Sequence, residues 1–145
     1  MKVLVTGVAG FIGMHCALRL LERGDEVVGI DNLSPYYSVE LKQARLARIP
    51  RQGRFLWHEI DLADGAALRR VFEESKPDAV LHLAAQAGVR YSLVNPDSYV
   101  QTNLVGFANL LECCRAHPPR HLVFASSSSV YGANTKLPYS ETDNV

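Results

Sequence analysis
Neither sign of charge is in excess in this 145-residue chain, where 15 Lys and Arg stand against 15 Asp and Glu. Such a balance offers no broad field to attract a nucleic acid or an anionic membrane, so any bound anion must be held by a local device. Cysteine is scarce as well. Cys16, Cys113 and Cys114 form no metal-ligand spacing, so no metal site is expected. Adjacent cysteines on a helix point in different directions and pair poorly, so all three are expected as reduced helix residues. Long apolar runs are missing too. "MKVLVTG" has a run of only three apolar residues, Val3 to Val5, before a Thr-Gly turn, too few for a signal-peptide core, and no later stretch approaches a membrane span. These absences lead to the expectation of a cytoplasmic protein with neither nucleic acid nor membrane as partner.

What is present is an ordinary globular composition, 48% hydrophobic and 21% charged, on a chain of one-domain length. Short β-branched runs, "KVLVT", "EVVGI", "RFLWHEI", "AVLHLA" and "HLVFAS", alternate with segments of helical spacing. In the first of these Phe11, Met14, Leu18 and Leu21 share a face and Gly24 supplies the stop. In the fourth Val100, Leu104, Phe107, Leu111 and Cys114 share one, and Pro118-Pro119 ends it. Between Asn32 and Arg54, "NLSPYYS" reads as a loop and "VELKQARLARI" as a short basic helix. Apolar strands joined by crossover helices belong in a parallel sheet covered on both faces. The fold class is therefore α/β, a doubly wound sheet of the Rossmann type with five strands in the order 3-2-1-4-5.

Directly after the first strand, "TGVAGFIG" places Gly7, Gly10 and Gly13 at three-residue steps where strand becomes helix. In that context Gly7 permits a tight turn, Gly10 lets backbone approach a pyrophosphate, and Gly13 lets helix and strand pack closely. The helix N-terminus then offers free N–H groups to phosphate oxygens. Asp31 closes the second strand 24 residues after Gly7, where a carboxylate can accept from an adenosine ribose and would repel a 2′-phosphate. That favours NAD over NADP. The competing structural reading is a tight connection with Asp31 capping the next turn. Asp61 and Leu62 follow the third strand, where the carboxylate could meet adenine or could cap a helix from Ala63. Ala84 and Ala85 follow the fourth and could lie against a cofactor or simply pack. Asn103 is read as fixing a loop, and His82 as a core histidine. The run Ser126 to Ser129 after the fifth strand reads, on its residues alone, as a turn or helix cap.

Together, "TGVAGFIG", "DNLSPYY", "HLAAQAGVRYS", "NPDSYVQTNLVGFANLLE" and "ASSSSVYG" resemble the extended short-chain dehydrogenase/reductase family of nucleotide-sugar enzymes, over essentially the whole chain. Within that family the likeness is nearest to the UDP-glucuronate 4-epimerase group, a sibling of the UDP-galactose 4-epimerases. The resemblance implies bound NAD that takes hydride from sugar C4, leaves a 4-keto sugar, and returns hydride to the opposite face. It assigns Gly7, Gly10, Phe11, Ile12 and Gly13 to the pyrophosphate, Asp31 and Asn32 to the adenosine ribose, and Asp61 and Leu62 to adenine. It assigns Ala84, Ala85 and Gln86 to the nicotinamide half and Asn103 to the loop beside it. Ser127, four residues before the Tyr of "VYG", would bind the reacting 4-oxygen, with Ser126 and Ser128 lining the same pocket. Related 4,6-dehydratases carry an Asp-Glu pair where this chain has Ser128 and Ser129, which argues against dehydration.

The family's base is the Tyr of a Tyr-x-x-x-Lys pair, and no tyrosine of this chain has a lysine four residues on. The resemblance therefore implies an N-terminal cofactor-binding part, residues 1–145, with the last strands and a substrate domain outside it and a homodimer in the full-length form. The other reading, a non-catalytic NAD-binding module, stays open at this point. So does the identity of the UDP-sugar.

Overall fold
The computed structural model describes residues 1–50 and 53–145. Five parallel strands form one sheet: β1 (Lys2–Thr6), β2 (Glu26–Asp31), β3 (Phe55–Glu59), β4 (Ala79–His82) and β5 (His121–Phe124), in the order β3-β2-β1-β4-β5. This is the order expected from the sequence. The pairings run in register from Val3 opposite Val27 on one side and Val3 opposite Ala79 on the other.

Because alternate residues of a strand face opposite ways, β1 supplies both cores. Val3 and Val5 pack with Met14 and Ala17 of α1 (Phe11–Glu22) and Leu46 of α2 (Val39–Ala47). Leu4 packs on the other face with Leu68 and Phe72 of α3 (Gly65–Ser75) and Leu110 and Cys113 of a last long helix. Each face of the sheet centre is thus covered, as a doubly wound fold requires. The sheet's rim is not: Val123 and Phe124 of β5 are 47% and 51% exposed.

Two helix faces differ from expectation. In α1 the buried residues are Gly13, Met14 and Ala17, while Phe11 is 65% exposed. The cause is Gly13, where an added Cβ would stand 2.1 Å from the Gly7 carbonyl oxygen, so helix and turn meet backbone to backbone and the helix is rotated toward that contact. The segment expected as one regular fourth helix comprises α4 (Pro96–Tyr99), a π-helical stretch (Val100–Gly106) and α5 (Phe107–Ala116). The wider turn shifts the phase. Gly106, Leu110 and Cys113 face inward, and Val100, Leu104 and Leu111 lie exposed. The three cysteines are free and helical. Among the described residues no helix is long and apolar enough to cross a membrane, and no group of His, Cys, Asp and Glu could hold a metal ion.

Candidate dinucleotide site
The order reverses between β1 and β4, and the segments leaving the carboxyl ends of these strands bound a cleft at the reversal. Its floor is a close approach of two backbones. Gly7, at φ +71°, sits where a Cβ would lie 2.8 Å from the Ala84 amide nitrogen. Gly7 and Val8 both donate to the Ile30 carbonyl (2.7 and 3.2 Å), which ties the turn to the end of β2. Gly10 is the N-cap of α1 and has no side chain to receive the first-turn N–H groups. No acidic side chain occupies that turn either, so its partial positive charge is available to an anion.

Thr6 and His82 hold the other wall. The Thr6 hydroxyl oxygen accepts from the amides of Leu83 and Ala84, both at 3.1 Å, and lies 2.7 Å from His82 Nδ1. With two donors already received, the hydroxyl gives its proton to Nδ1, which requires a neutral imidazole. His82 is 7% exposed and stacked on Phe107 at 5.1 Å. Burial pushes its pKa down from 6.5 to about 4. The unfolded chain therefore takes up this proton at a higher pH than the folded protein. The advantage is complete above pH 6.5 and is lost as the pH falls through 4, amounting to about 3 kcal/mol. Urea unfolding at pH 7 and at pH 4.5 is expected to show that loss, and His82→Asn, which keeps an acceptor for Thr6, to show a shallower one. An equal slope in the variant would place the acid sensitivity elsewhere.

The acidic wall comes from the ends of β2 and β3. Asp31 is 8% exposed, and its carboxylate accepts from the amides of Ala9 (3.0 Å) and Leu33 (2.9 Å), one on each oxygen. A carboxylate oxygen has a second lone pair, so both can still accept from a ligand. Asn32 donates to Asp61 at 2.8 Å, and the other Asp61 oxygen accepts from the Ala63 amide. Asp61 does not cap the next helix. That helix starts two residues beyond Ala63, and Asp64 caps it by accepting from Ala66 and Ala67. Leu62 lines the cleft while its side chain is 4% exposed in the core, leaving its backbone as the part a ligand could meet.

Of the residues expected from the sequence, Gly7, Gly10, Asp31, Asn32, Asp61 and Leu62 line one cleft, and Ala84, Ala85 and Gln86 complete its far side. Asn103 is not in the lining. Its amide accepts from the Gln86 N–H (2.9 Å) and donates to the Gln86 carbonyl (3.0 Å), clamping that loop by its backbone. Phe11, Ile12 and Gly13 stand beside the cleft in the first turn of α1. Ser126, Ser127 and Ser128 are exposed beyond β5, outside the lining. Ser127 caps a 3₁₀ turn, Ser128–Tyr131, by accepting from the Ser129 amide at 3.3 Å, so the turn reading of the run holds locally. Ser34, Tyr36, Tyr37, Lys42 and Thr102 also line the cleft and went unnoticed in the sequence. A signal for Lys42 was available: Val39, Lys42 and Leu46 fall on one helix face, which puts a lysine among core positions.

A doubly wound parallel sheet with a glycine turn and a buried acid at its switch point defines a Rossmann-type domain. Residues 4–145 match the family described as GDP-mannose 4,6 dehydratase, and the chain belongs to that family, within the extended short-chain dehydrogenases/reductases. A probable UDP-glucuronate 4-epimerase of Rhizobium meliloti is 52% identical over 143 residues, covering 99% of this chain and 42% of the relative. UDP-glucuronate 4-epimerase 3 of Arabidopsis thaliana is 54% identical over 143 residues, covering 98% and 33%. Among solved structures, UDP-glucuronic acid 4-epimerase from Bacillus cereus, in complex with UDP-glucuronic acid and NAD, superposes with a TM-score of 0.86 at 34% identity, over 99% of this chain and 45% of that one. UDP-glucose-4-epimerase from Stenotrophomonas maltophila, with bound NAD and formylated UDP-arabinopyranose, gives 0.82 at 32% identity, over 99% and 42%. The chain thus spans less than half the length of these relatives.

Proposed function
We propose that this chain is the cofactor-binding part of an NAD-dependent nucleotide-sugar 4-epimerase acting on a UDP-sugar, UDP-glucuronate before others, with the substrate domain outside residues 1–145. The observation that carries the reading is the cleft itself. An uncapped helix N-terminus, a left-handed glycine pressed on Ala84, and a buried carboxylate with lone pairs to spare meet at one switch point. That set fits a dinucleotide in which no 2′-phosphate competes with Asp31. Bound NAD would accept a hydride from the sugar and return it. The protein's own tasks are then to hold the pyrophosphate at the α1 N-terminus, the ribose at Asp31 and Asn32, adenine at Asp61 and Leu62, and the nicotinamide half along Ala84 to Gln86. Ser127 would donate to a ketone and accept from an alcohol at the sugar's 4-oxygen, with Ser126 and Ser128 beside it. Similarity to proteins named UDP-glucuronate 4-epimerases supports the choice of reaction, and Ser128 and Ser129 stand where dehydration would need an acid and a base. The same reading carries a cytoplasmic location and, for the full-length form, a homodimer.

Calorimetric titration of the chain with NAD and with NADP tests the cofactor. Asp31→Ala is expected to weaken NAD binding by about 1 to 3 kcal/mol, the scale for hydrogen bonds to a charged group, and NADP binding less. Equal losses for both would remove Asp31 from the ribose.

A further inference from the structure
Asn109 stands on α5, outside the lining of the cleft, and the cofactor reading gives it no task. It is half-buried, and its amide donates to two carbonyls of the turn between β3 and α3, Leu62 at 2.9 Å and Ala63 at 3.2 Å. Two glycines make room for this approach. A Cβ on Gly65, the first residue of α3, would lie 3.0 to 3.2 Å from the atoms of the Asn109 amide, and one on Gly106 would lie 2.9 Å from the Leu62 Cβ. What the amide holds is a single peptide unit. Its C=O is that of Leu62, which receives Asn109, and its N–H is that of Ala63, which donates to Asp61 Oδ1 at 2.8 Å. The unit is planar, so its two ends move together, and a rotation that freed the Leu62 carbonyl would carry the Ala63 N–H off the carboxylate. Asn32 holds the other Asp61 oxygen. The neighbouring Leu62 N–H has no hydrogen-bond partner among the described residues.

Resting on the dinucleotide reading, which puts adenine at Asp61 and Leu62, we propose that Asn109 is a positioning residue for base selection. By holding the Leu62–Ala63 peptide it fixes the Asp61 carboxylate beside the Leu62 N–H, the arrangement that separates a 6-amino purine from a 6-oxo purine. A carboxylate accepts and a backbone N–H donates, which complements the amino donor and ring-nitrogen acceptor on adenine's edge. Hypoxanthine reverses both. Its 6-oxygen would face the carboxylate and its ring N–H would face the Leu62 N–H, acceptor against acceptor and donor against donor. The discrimination requires the two protein groups to keep their separation, and a loose turn would let either one swing away. The other task open to Asn109 is to tie α5 to the start of α3, which would serve stability and leave the choice of base alone.

Calorimetric titration would compare NAD with nicotinamide hypoxanthine dinucleotide, for the parent chain and for Asn109→Ala, after circular dichroism has established that the variant is folded. The parent is expected to prefer NAD. In Asn109→Ala the affinity for NAD is expected to fall roughly three- to tenfold, the worth of a neutral hydrogen bond, and that for the analogue by less than about twofold, so that the preference collapses. Where Asn109→Ala does not fold, Gly65→Ala decides instead. Its Cβ would press on the Asn109 amide while alanine suits the helix, and the same narrowing of preference is expected. Equal losses for the two ligands, or an unchanged preference, would make Asn109 a packing tie between α5 and α3 and overturn the proposal. A parent chain that binds both ligands equally would overturn it as well, by removing adenine from Asp61 and Leu62. A parent chain that binds neither would overturn the dinucleotide reading itself, an outcome seen before any variant is compared.

Discussion

Gly13→Ala is expected to destabilise the domain by about 3 kcal/mol or more, a large share of the roughly 5 to 15 kcal/mol that holds such a fold together. Helix propensity points the other way. Within a helix an alanine is favoured over a glycine by about 1 kcal/mol, so a substitution judged on α1 alone would stabilise it. The turn reverses the sign. The new Cβ would lie 2.1 Å from the Gly7 carbonyl oxygen, 2.8 Å from the Gly7 carbonyl carbon and 2.9 Å from the Val8 Cα. All three are backbone atoms of a turn that cannot yield freely, because Gly7 and Val8 are held on the Ile30 carbonyl and the Gly7 oxygen accepts from Gly10. Relief would require α1 to move off β1, opening the contact between Met14, Ala17 and the valines of that strand. Urea denaturation at neutral pH measures the difference. A variant as stable as the parent, or more so, would show that propensity governs this position and that the close approach is soft.

That result bears on what a sequence discloses. The five strands and their order were legible because β-branched runs alternate with crossover segments long enough to return the chain to the same end of the sheet, so that each strand runs parallel to the last. The glycine turn was legible for a related reason, since its spacing and place between strand and helix are local facts. Helix phase was less so. Periodicity in α1 pointed to Phe11, yet the contact that sets its rotation is a glycine pressed on a turn carbonyl, which leaves no apolar signature. The π-helical stretch was hidden in the same way. It is accompanied by two contacts between distant parts of the chain, Gly106 against Leu62 and Asn103 on the Gln86 backbone. Neither shows in a local window. Lys42 was passed over because its helix is rich in cations and a lysine there reads as solvated, whereas the fold turns that position inward.

The serine run shows the same division between local and distant information. Its turn geometry is local, and Ser127 does cap Ser128–Tyr131. Any chemistry at its hydroxyl depends on what else reaches it. Among the described residues the Ser127 oxygen accepts from the Ser129 amide, and no carboxylate, imidazole or amine is hydrogen-bonded to it. A hydroxyl so placed can orient an oxygen but has no partner to take its proton.

Incubated with NAD and either UDP-glucuronate or UDP-galactose, the 145-residue chain by itself is expected to form no epimer. Taking hydride from a sugar carbon requires a base for the hydroxyl proton, and a phenol, with an ordinary pKa of about 10, does this near neutrality only when adjacent positive charge lowers it. The family pairs its tyrosine with a lysine four residues on, and here Tyr131 and Tyr139 are followed at that distance by Thr135 and Asp143. These two rings instead stack face to face, 4.4 Å between centroids and 6° from parallel. Ser127, among the described residues, has no base hydrogen-bonded to it. Among the described residues, then, neither Tyr131, Tyr139 nor Ser127 has a partner placed to carry the proton transfer. The same chain has an open rim: among the described residues β5 pairs with β4 alone, and Val123 and Phe124 leave about half of their surface in water. An unpaired apolar edge invites pairing with another copy, so light scattering is expected to show self-association that rises with concentration. Separation of the nucleotide sugars after incubation gives the decisive measurement. Epimer formed by chain freed of every contaminating enzyme would sink the assignment of the base to a Tyr-x-x-x-Lys pair, and would require a proton acceptor among the residues already described.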